Sequence, residues 1–225
     1  MIRHFHDELK KIKEKLFRMG LLVEAAVENS SAALFERNSA KAENVIKQDK
    51  DINLYEIEID ELGHEMIALY QPTASDMRLI SSILKMTSDL ERMGDQSVNI
   101  AEKAIVLNQE PPIKPYEDLP QMARATTLMV REVLSAFMSE DADKAKAIME
   151  RDDEIDQLNV KIYDDILKIM EKKPETIRAG VSLIMVAHNF ERIADLATNI
   201  AEDVIYLKRG IDVRHHIRER REDIA

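Results

Sequence analysis

A polar pattern occurs twice in the chain, and this duplication constrains the fold more than any other feature of the sequence. The pattern E-R-x-x-D-x-x-x-N-I-A-E runs over residues 91–102 and returns 100 residues later, over 191–202. Further upstream the two halves align with an offset of 103, so that Asp49 matches Asp152 and Ile52 matches Ile155. Similarity held over two separate stretches predicts two copies of one structural unit.

Apolar residues in each copy recur at alternating steps of 3 and 4, most clearly from Leu79 to Met93 and from Leu183 to Ile193. This spacing predicts long helices packed at shallow angles, and short loops make successive helices antiparallel neighbours. The predicted fold is therefore all-α, with two tandem three-helix bundles. The predicted helices cover about 5–36, 39–70 and 74–108 in the first copy, and about 117–138, 142–172 and 175–209 in the second.

A proline-rich stretch predicts the link between the two bundles. Its prolines are Pro111, Pro112, Pro115 and Pro120. The predicted domains are a first bundle at residues 1–112, a second bundle at 113–210 and a basic C-terminal tail at 211–225.

Composition excludes several classes of protein. The chain has no cysteine, so a disulfide framework and a thiolate metal site are both excluded. Its net charge of −11 argues against a basic groove for nucleic acid. No apolar run approaches the roughly 18 residues of a membrane span, and the N-terminus lacks the apolar region of a signal peptide. We therefore expect a cytoplasmic protein that does not itself cross a membrane.

The third helix of each copy carries a stripe of acidic and amide side chains. Residues at i, i+4, i+8 and i+11 fall within a stripe ~80° wide, and this stripe faces away from the apolar seam. Its members are Glu91, Asp95, Asn99 and Glu102 in the first copy, and Glu191, Asp195, Asn199 and Glu202 in the second.

The second helix of each hairpin brings another polar pair level with this stripe. Like charges that lie close together repel one another, and a bound cation relieves the repulsion. Oxygen donors without thiolates suit Mg²⁺, Mn²⁺, Ca²⁺ or iron rather than structural zinc. The sequence thus predicts two metal sites, formed by Asp49, Asn53, Glu91 and Asp95 and by Asp152, Asp156, Glu191 and Asp195.

Other interpretations of these side chains stay open at this point. They can be a solvated helix face, a surface for a partner protein, or part of a carboxylate-bridged metal-storage bundle or metalloenzyme. Glu61 and His64 form an E-x-x-H motif, but a di-iron oxidase requires two such motifs. The sequence also lacks a phosphate-binding loop and a nucleophile elbow. We therefore expect no catalytic residues and no enzymatic activity.

The repeated motif and the loop Q-P-T-A-S-D-M-R-L at residues 71–79 together resemble one known family. The chain is similar, from Phe5 to about Gly210, to the PhoU family, accessory regulators of the bacterial phosphate-specific transport system. The resemblance implies two tandem three-helix bundles. It also implies a non-enzymatic negative regulator of phosphate uptake and of the phosphate-starvation response.

The resemblance also implies partners and metals. The partners are the PstB-type ATPase of the transporter and the PhoR-type sensor histidine kinase, and the exposed helix surfaces leave room for a homodimer. Family members carry metal clusters on E/D-x-x-x-D motifs, with iron ranked first here and zinc, manganese and magnesium as alternatives. The matching pairs are Glu91/Asp95, Glu191/Asp195 and Asp152/Asp156, whereas Asp49/Asn53 departs from the acidic pattern.

Overall fold

The computed structural model describes residues 2–113 and 117–213, with only the backbone for residues 2 and 3. Within these residues the chain forms α helices, one short 3-10 helix and no strand. The α helices are α1 (Ile2–Phe35), α2 (Ser39–Tyr70), α3 (Ala74–Asn108), α4 (Leu119–Ser139), α5 (Ala142–Met149), α6 (Asp152–Lys172) and α7 (Ile177–Arg209), and the 3-10 helix covers Pro174–Thr176.

The first bundle consists of α1, α2 and α3, each packed against the other two. Asn38 caps the start of α2, because its side-chain oxygen accepts a hydrogen bond of 3.0 Å from the Lys41 backbone N–H. Gln71 ends α2 in the left-handed conformation, with φ 47°. These two ends match the predicted helix of residues 39–70.

The second bundle departs from the prediction at one point. The helix predicted over 142–172 is interrupted at Glu150 and Arg151, between α5 and α6. The Arg151 N–H donates to the Ile148 carbonyl at 3.1 Å, and the Glu154 N–H donates to the Arg151 carbonyl at 3.1 Å. These tighter i→i−3 bonds break the α-helical ladder, and the acidic residues 152–154 favour a new helix start.

The two bundles pack against each other along α3 with α7 and α1 with α4. α3 and α7 run antiparallel, because Lys85 lies 3.5 Å from Asp203 at one end and Arg178 lies 3.9 Å from Glu110 at the other. The contacts arrange α2, α3, α7 and α6 side by side, with α1 and α4 packed behind them. Buried apolar residues form one core cluster that runs through both bundles.

None of the helices in the described residues combines the length and the apolar character that a membrane crossing requires. Of the predicted basic tail at 211–225, residues 214–225 lie outside the described residues, as does Pro115 of the predicted link.

Candidate metal centres

Two helices of the second bundle build the second acidic cluster, which we define as Asp152, Asp156, Glu191 and Asp195. Asp152 opens α6 and Asp156 follows one turn later, while Glu191 and Asp195 lie one turn apart on α7. Because α6 and α7 are an antiparallel pair, these two short stretches lie level with each other. The structure therefore brings the four predicted residues together.

Burial and mutual repulsion raise the pKa values of this cluster. Burial raises the pKa of Asp152 to about 6, with further contributions from Asp195 and then Asp156. Burial and then the Asp156 charge raise the pKa of Asp195. Burial and then the Asp195 charge raise the pKa of Glu191. The neighbouring His188 opposes this rise. The carboxyl groups of this cluster are therefore harder to ionise together than carboxyl groups in solvent.

Several oxygen atoms of this cluster are buried without a hydrogen-bond donor. They include Asp152 Oδ1 and Glu191 Oε2, whereas the hydroxyl of Thr198 lies close enough to Asp152 to oppose the rise of its pKa. His188 Nδ1 lies 3.0 Å from Glu191 Oε2 but outside hydrogen-bond geometry. Buried acceptors without partners are uncommon in folded proteins, and a missing ion is one explanation for them.

The first acidic cluster consists of Asp49 and Asn53 on α2 and Glu91 and Asp95 on α3. Asn53 Nδ2 donates a 3.0 Å hydrogen bond to Asp49 Oδ2, which orients the amide. The remaining oxygens, Asp49 Oδ1 and Asn53 Oδ1, are buried without donors. Asn53 therefore presents an oxygen to the cluster, as the aspartate at the same position of the second repeat does.

Glu56 is a fifth member of this region that the sequence analysis missed. Burial raises the pKa of Glu91 to about 7, with further contributions from Asp95, Glu56 and Asp49. The pKa of Glu56 itself is raised by burial and then by the charges of Asp60 and Asp95. Burial also raises the pKa of Asp49, although the bond from Asn53 opposes the shift. The position of Glu56 three residues after Asn53 on α2 was the available signal.

The donor sets fit a hard cation, because each cluster combines carboxylates with buried oxygens that lack donors. In the described part of the chain, no group of three or more acidic or histidine side chains is arranged to hold a metal ion. A bound cation would therefore require side-chain rotations, and the exposed Asp95 and Asp156 are free to make them. The metal role of all eight residues stays a prediction.

The remaining polar members of the two stripes lie outside the clusters. Asn99 and Glu102 are exposed, and Asn199 lies against Asp89 of α3. His64 of the E-x-x-H motif is also exposed, with its Nδ1 2.8 Å from the Asp60 carbonyl oxygen.

Asp89 is a second carboxylate that the sequence analysis missed, and it lies between the bundles. Burial raises its pKa to about 6, and Asp203 of α7 adds to the shift. Arg92, Asn199 and Lys85 oppose it. No pattern within α3 marks Asp89, since its burial depends on the packing of α7.

Comparison with known proteins identifies the family. A model of the PhoU domain matches the chain twice, at residues 16–104 and 119–204. The chain belongs to the PhoU domain family. A relative from Aquifex aeolicus (strain VF5), described as a phosphate-specific transport system accessory protein PhoU homolog, is 42% identical over 216 residues. That alignment covers 96% of this chain and 98% of the relative.

Solved structures agree with this assignment. The crystal structure of PhoU from Pseudomonas aeruginosa matches with a TM-score of 0.90 and 37% identity, over 92% of this chain and 100% of that one. The phosphate transport system regulatory protein PhoU from Streptococcus pneumoniae matches with a TM-score of 0.86 and 31% identity, over 93% of this chain and 99% of that one. These matches confirm the predicted family and the fold of tandem helical bundles.

Proposed function

We propose that this chain is an accessory regulator of a phosphate-specific transport system. It acts without catalysis as a negative regulator of phosphate uptake and of the phosphate-starvation response. The observation that carries the proposal is the 42% identity to an accessory protein of that system over nearly the full length of both chains. The alignment runs through both repeats, so the relative shares both helical bundles with this chain rather than one of them.

In this proposal the chain is a cytoplasmic adaptor. It connects the PstB-type ATPase of the transporter to the PhoR-type sensor kinase. The continuous core through both bundles supports such a role, because a rigid body can hold two partners in a defined relation. The net charge of −11 favours basic partner surfaces.

The two acidic clusters bind metal ions in this proposal, with iron ranked first and manganese, magnesium and zinc as alternatives. Support comes from the buried oxygens without donors and from the raised pKa values of Asp152 and Glu91. A bound cation would neutralise each cluster and change the charge that a partner meets, which controls encounter and specificity.

Elemental analysis of the purified protein tests the metal step. Glu191→Gln/Asp195→Asn removes charge from the second cluster at nearly constant volume, and Glu91→Gln/Asp95→Asn does so in the first. We expect each variant to lose the metal of its own cluster and to keep that of the other. The matched control is Asp164→Asn/Glu171→Gln, two carboxylates of α6 outside both clusters, which should keep full loading.

Wild-type protein that stays metal-free after incubation with Fe²⁺, Mn²⁺ or Zn²⁺ would contradict the metal step. The adaptor role would then stand without it.

A reporter for phosphate-regulated transcription tests the regulatory role. In phosphate-rich medium, deletion of the gene should derepress the reporter, and a plasmid copy should restore repression. Equal reporter activity with and without the gene would overturn the proposed function.

A further inference from the structure

Large apolar side chains lie exposed on one face of the α6–α7 hairpin. We call this set the apolar face, and its exposed fractions run from 37% at Leu167 to 62% at Val160. Its members are Val160, Tyr163, Leu167, Ile177, Val181 and Met185. Single exposed apolar residues are ordinary on protein surfaces, whereas a contiguous set indicates an interaction site.

Two contacts fix the register of the hairpin. A Cβ added at Gly180 would meet Met170 Sδ at 2.6 Å and Ile166 Cγ2 at 3.1 Å, so Gly180 lies level with this part of α6. At the other end Asp152 interacts with Asp195. This register places Leu167 level with Val181, and Tyr163 level with Met185.

The two rows of side chains point to the same side of the hairpin. Val160, Tyr163 and Leu167 follow Asp156 at i+4, i+7 and i+11, which is one helical stripe. Asp156 interacts with Glu191 and Asp195 of α7.

The second row consists of Ile177, Val181 and Met185 on α7, and it leads along the helix to Asp195 of the second acidic cluster. Ile177 and Val181 precede Asp195 by 18 and 14 residues, which are near-integral numbers of helical turns. Both rows therefore start beside the second acidic cluster and form one surface.

The duplication shows that the fold does not require apolar residues at four of these six positions. The buried positions correspond between repeats, as with Ile59 and Ile162 or Ile83 and Leu183. Two exposed positions also correspond, since Val160 and Ile177 match the exposed Ile57 and Met77, but the other four do not. In the first repeat, the residues at the places of Tyr163, Leu167, Val181 and Met185 are Asp60, His64, Ser81 and Lys85.

We propose that the apolar face binds an amphipathic helix of a partner protein, with basic residues flanking that helix's apolar stripe. This inference rests on the proposed function, since an accessory protein must contact its transporter or its kinase. A helix about 10 Å across fits along two rows carried by neighbouring helices, with alternate turns supplying the anchors.

The charged residues that border the apolar face favour a partner of one charge. Within the described residues, no cation pairs with the α6 carboxylates beside the face, which are Asp156, Asp164 and Glu171. The arginines beside α7 are already engaged, Arg178 with Glu110 and Arg192 with Asp195. Lys172 and Lys173 lie at the turn end of the face, but the three α6 carboxylates outnumber them, so the excess charge is negative. A second copy of this chain would bring the same excess, so like charges would oppose self-association, whereas a basic helix would be attracted.

A variant in which four residues of the apolar face are replaced by their first-repeat equivalents tests the inference. Tyr163→Asp/Leu167→His/Val181→Ser/Met185→Lys gives the second repeat the residues that the first repeat carries. The control Leu54→Gln/Leu69→Lys makes the reverse exchange at exposed positions of α2, which are 54% and 64% exposed. Circular dichroism and thermal unfolding should show that both variants fold.

The measurement is the equilibrium affinity for two purified probes, the detergent-solubilised phosphate transporter with its ATPase subunits and the cytoplasmic part of the sensor kinase. We expect the face variant to bind at least one probe about 10-fold or more weakly, and the control to bind both within about 2-fold of the wild type. Added salt should weaken wild-type binding, because the rim contacts are charged.

The other outcomes overturn the inference in distinguishable ways. Wild-type affinity in the face variant would overturn the docking surface and leave the proposed function intact. Absence of wild-type binding to either probe would overturn the proposed adaptor and the docking surface together. Light scattering that shows a wild-type dimer and a monomeric face variant, with unchanged affinity for both probes, would assign the face to a second copy instead.

Discussion

Gly94 and Ala194 occupy the same position of the two repeats, beside the two acidic clusters. A Cβ at Gly94 would lie 3.1 Å from Ile52 Cδ1 and 3.2 Å from Asp49 Oδ1, which is tight but within reach of a small shift. The second repeat accommodates the methyl group of Ala194, which is fully buried. Equivalent positions in a duplicated protein thus provide their own controls.

We expect Gly94→Ala to raise the free energy of unfolding by up to about 1 kcal/mol, because alanine has the better helix propensity. Gly20→Ala should instead lower it by about 1–3 kcal/mol, since its Cβ would overlap the methyl groups of buried Leu134 where α1 meets α4. Urea unfolding of both variants measures the difference. Equal effects of the two substitutions would contradict this account of the α1–α4 contact.

At the scale of elements, the short helix α5 depends on its cap more than the long helices do. The Asp141 carboxylate accepts hydrogen bonds from the backbone N–H groups of Asp143 and Lys144, at 3.1 and 2.9 Å. α5 has only 8 residues, so the cap satisfies a large share of its free N–H groups.

We expect Asp141→Ala to lower the free energy of unfolding by about 1 kcal/mol. The control Asp164→Ala removes an aspartate from the exposed middle of α6 and should change stability by less than about 0.5 kcal/mol. Chemical denaturation of both variants checks the difference. A loss in the control as large as that in Asp141→Ala would show that the cap is not the cause.

The interruption between α5 and α6 is a feature of the helices that the local apolar pattern did not predict. Residues 142–172 carry an apolar period that continues across residues 150 and 151, and this period predicted one helix. The period reports which side chains face the core, but it does not report a change of hydrogen-bond pattern in a single turn. The run of acids at 152–154 was the local sign of a new helix start.

At the scale of the whole molecule, burial and mutual repulsion raise the pKa values of several carboxyl groups, and these shifts act together on stability. The pKa of Glu91 rises to about 7, and those of Asp89 and Asp152 rise to about 6. The folded state therefore binds protons more tightly than the unfolded state does. The resulting stabilisation is complete below the ordinary carboxyl pKa of about 4 and is lost as the pH rises through about 6 to 7.

We expect the free energy of unfolding of the metal-free protein to fall as the pH rises from 5 to about 8. Urea titrations across this range measure the slope. Asp89→Asn, which is neutral at every pH, should make the slope shallower. If the clusters bind a cation, added Mn²⁺ should stabilise the protein more at pH 8 than at pH 5, because metal binding requires deprotonated carboxylates. A rise in stability over this range without metal would contradict the upward shifts.

The sequence by itself determined the duplication, every helix except the division between α5 and α6, and the eight residues of the two acidic clusters. These features follow from periodicity and from the reflection of a helical hairpin about its turn, so they depend only on local geometry. Asp152 and Asp195 lie far apart in the chain, but one turn at residues 173–176 relates them.

Only the tertiary structure decided how the two bundles meet. The packing of α3 on α7 buries Asp89 and merges two apolar seams into one core. It also determines which side chains stay exposed, because exposure depends on every neighbouring helix rather than on the period of one. The six residues of the apolar face are chemically like core residues, so their pattern alone gave no sign that they form an open surface. The packing of distant segments, which no local pattern encodes, distinguishes that surface from a core.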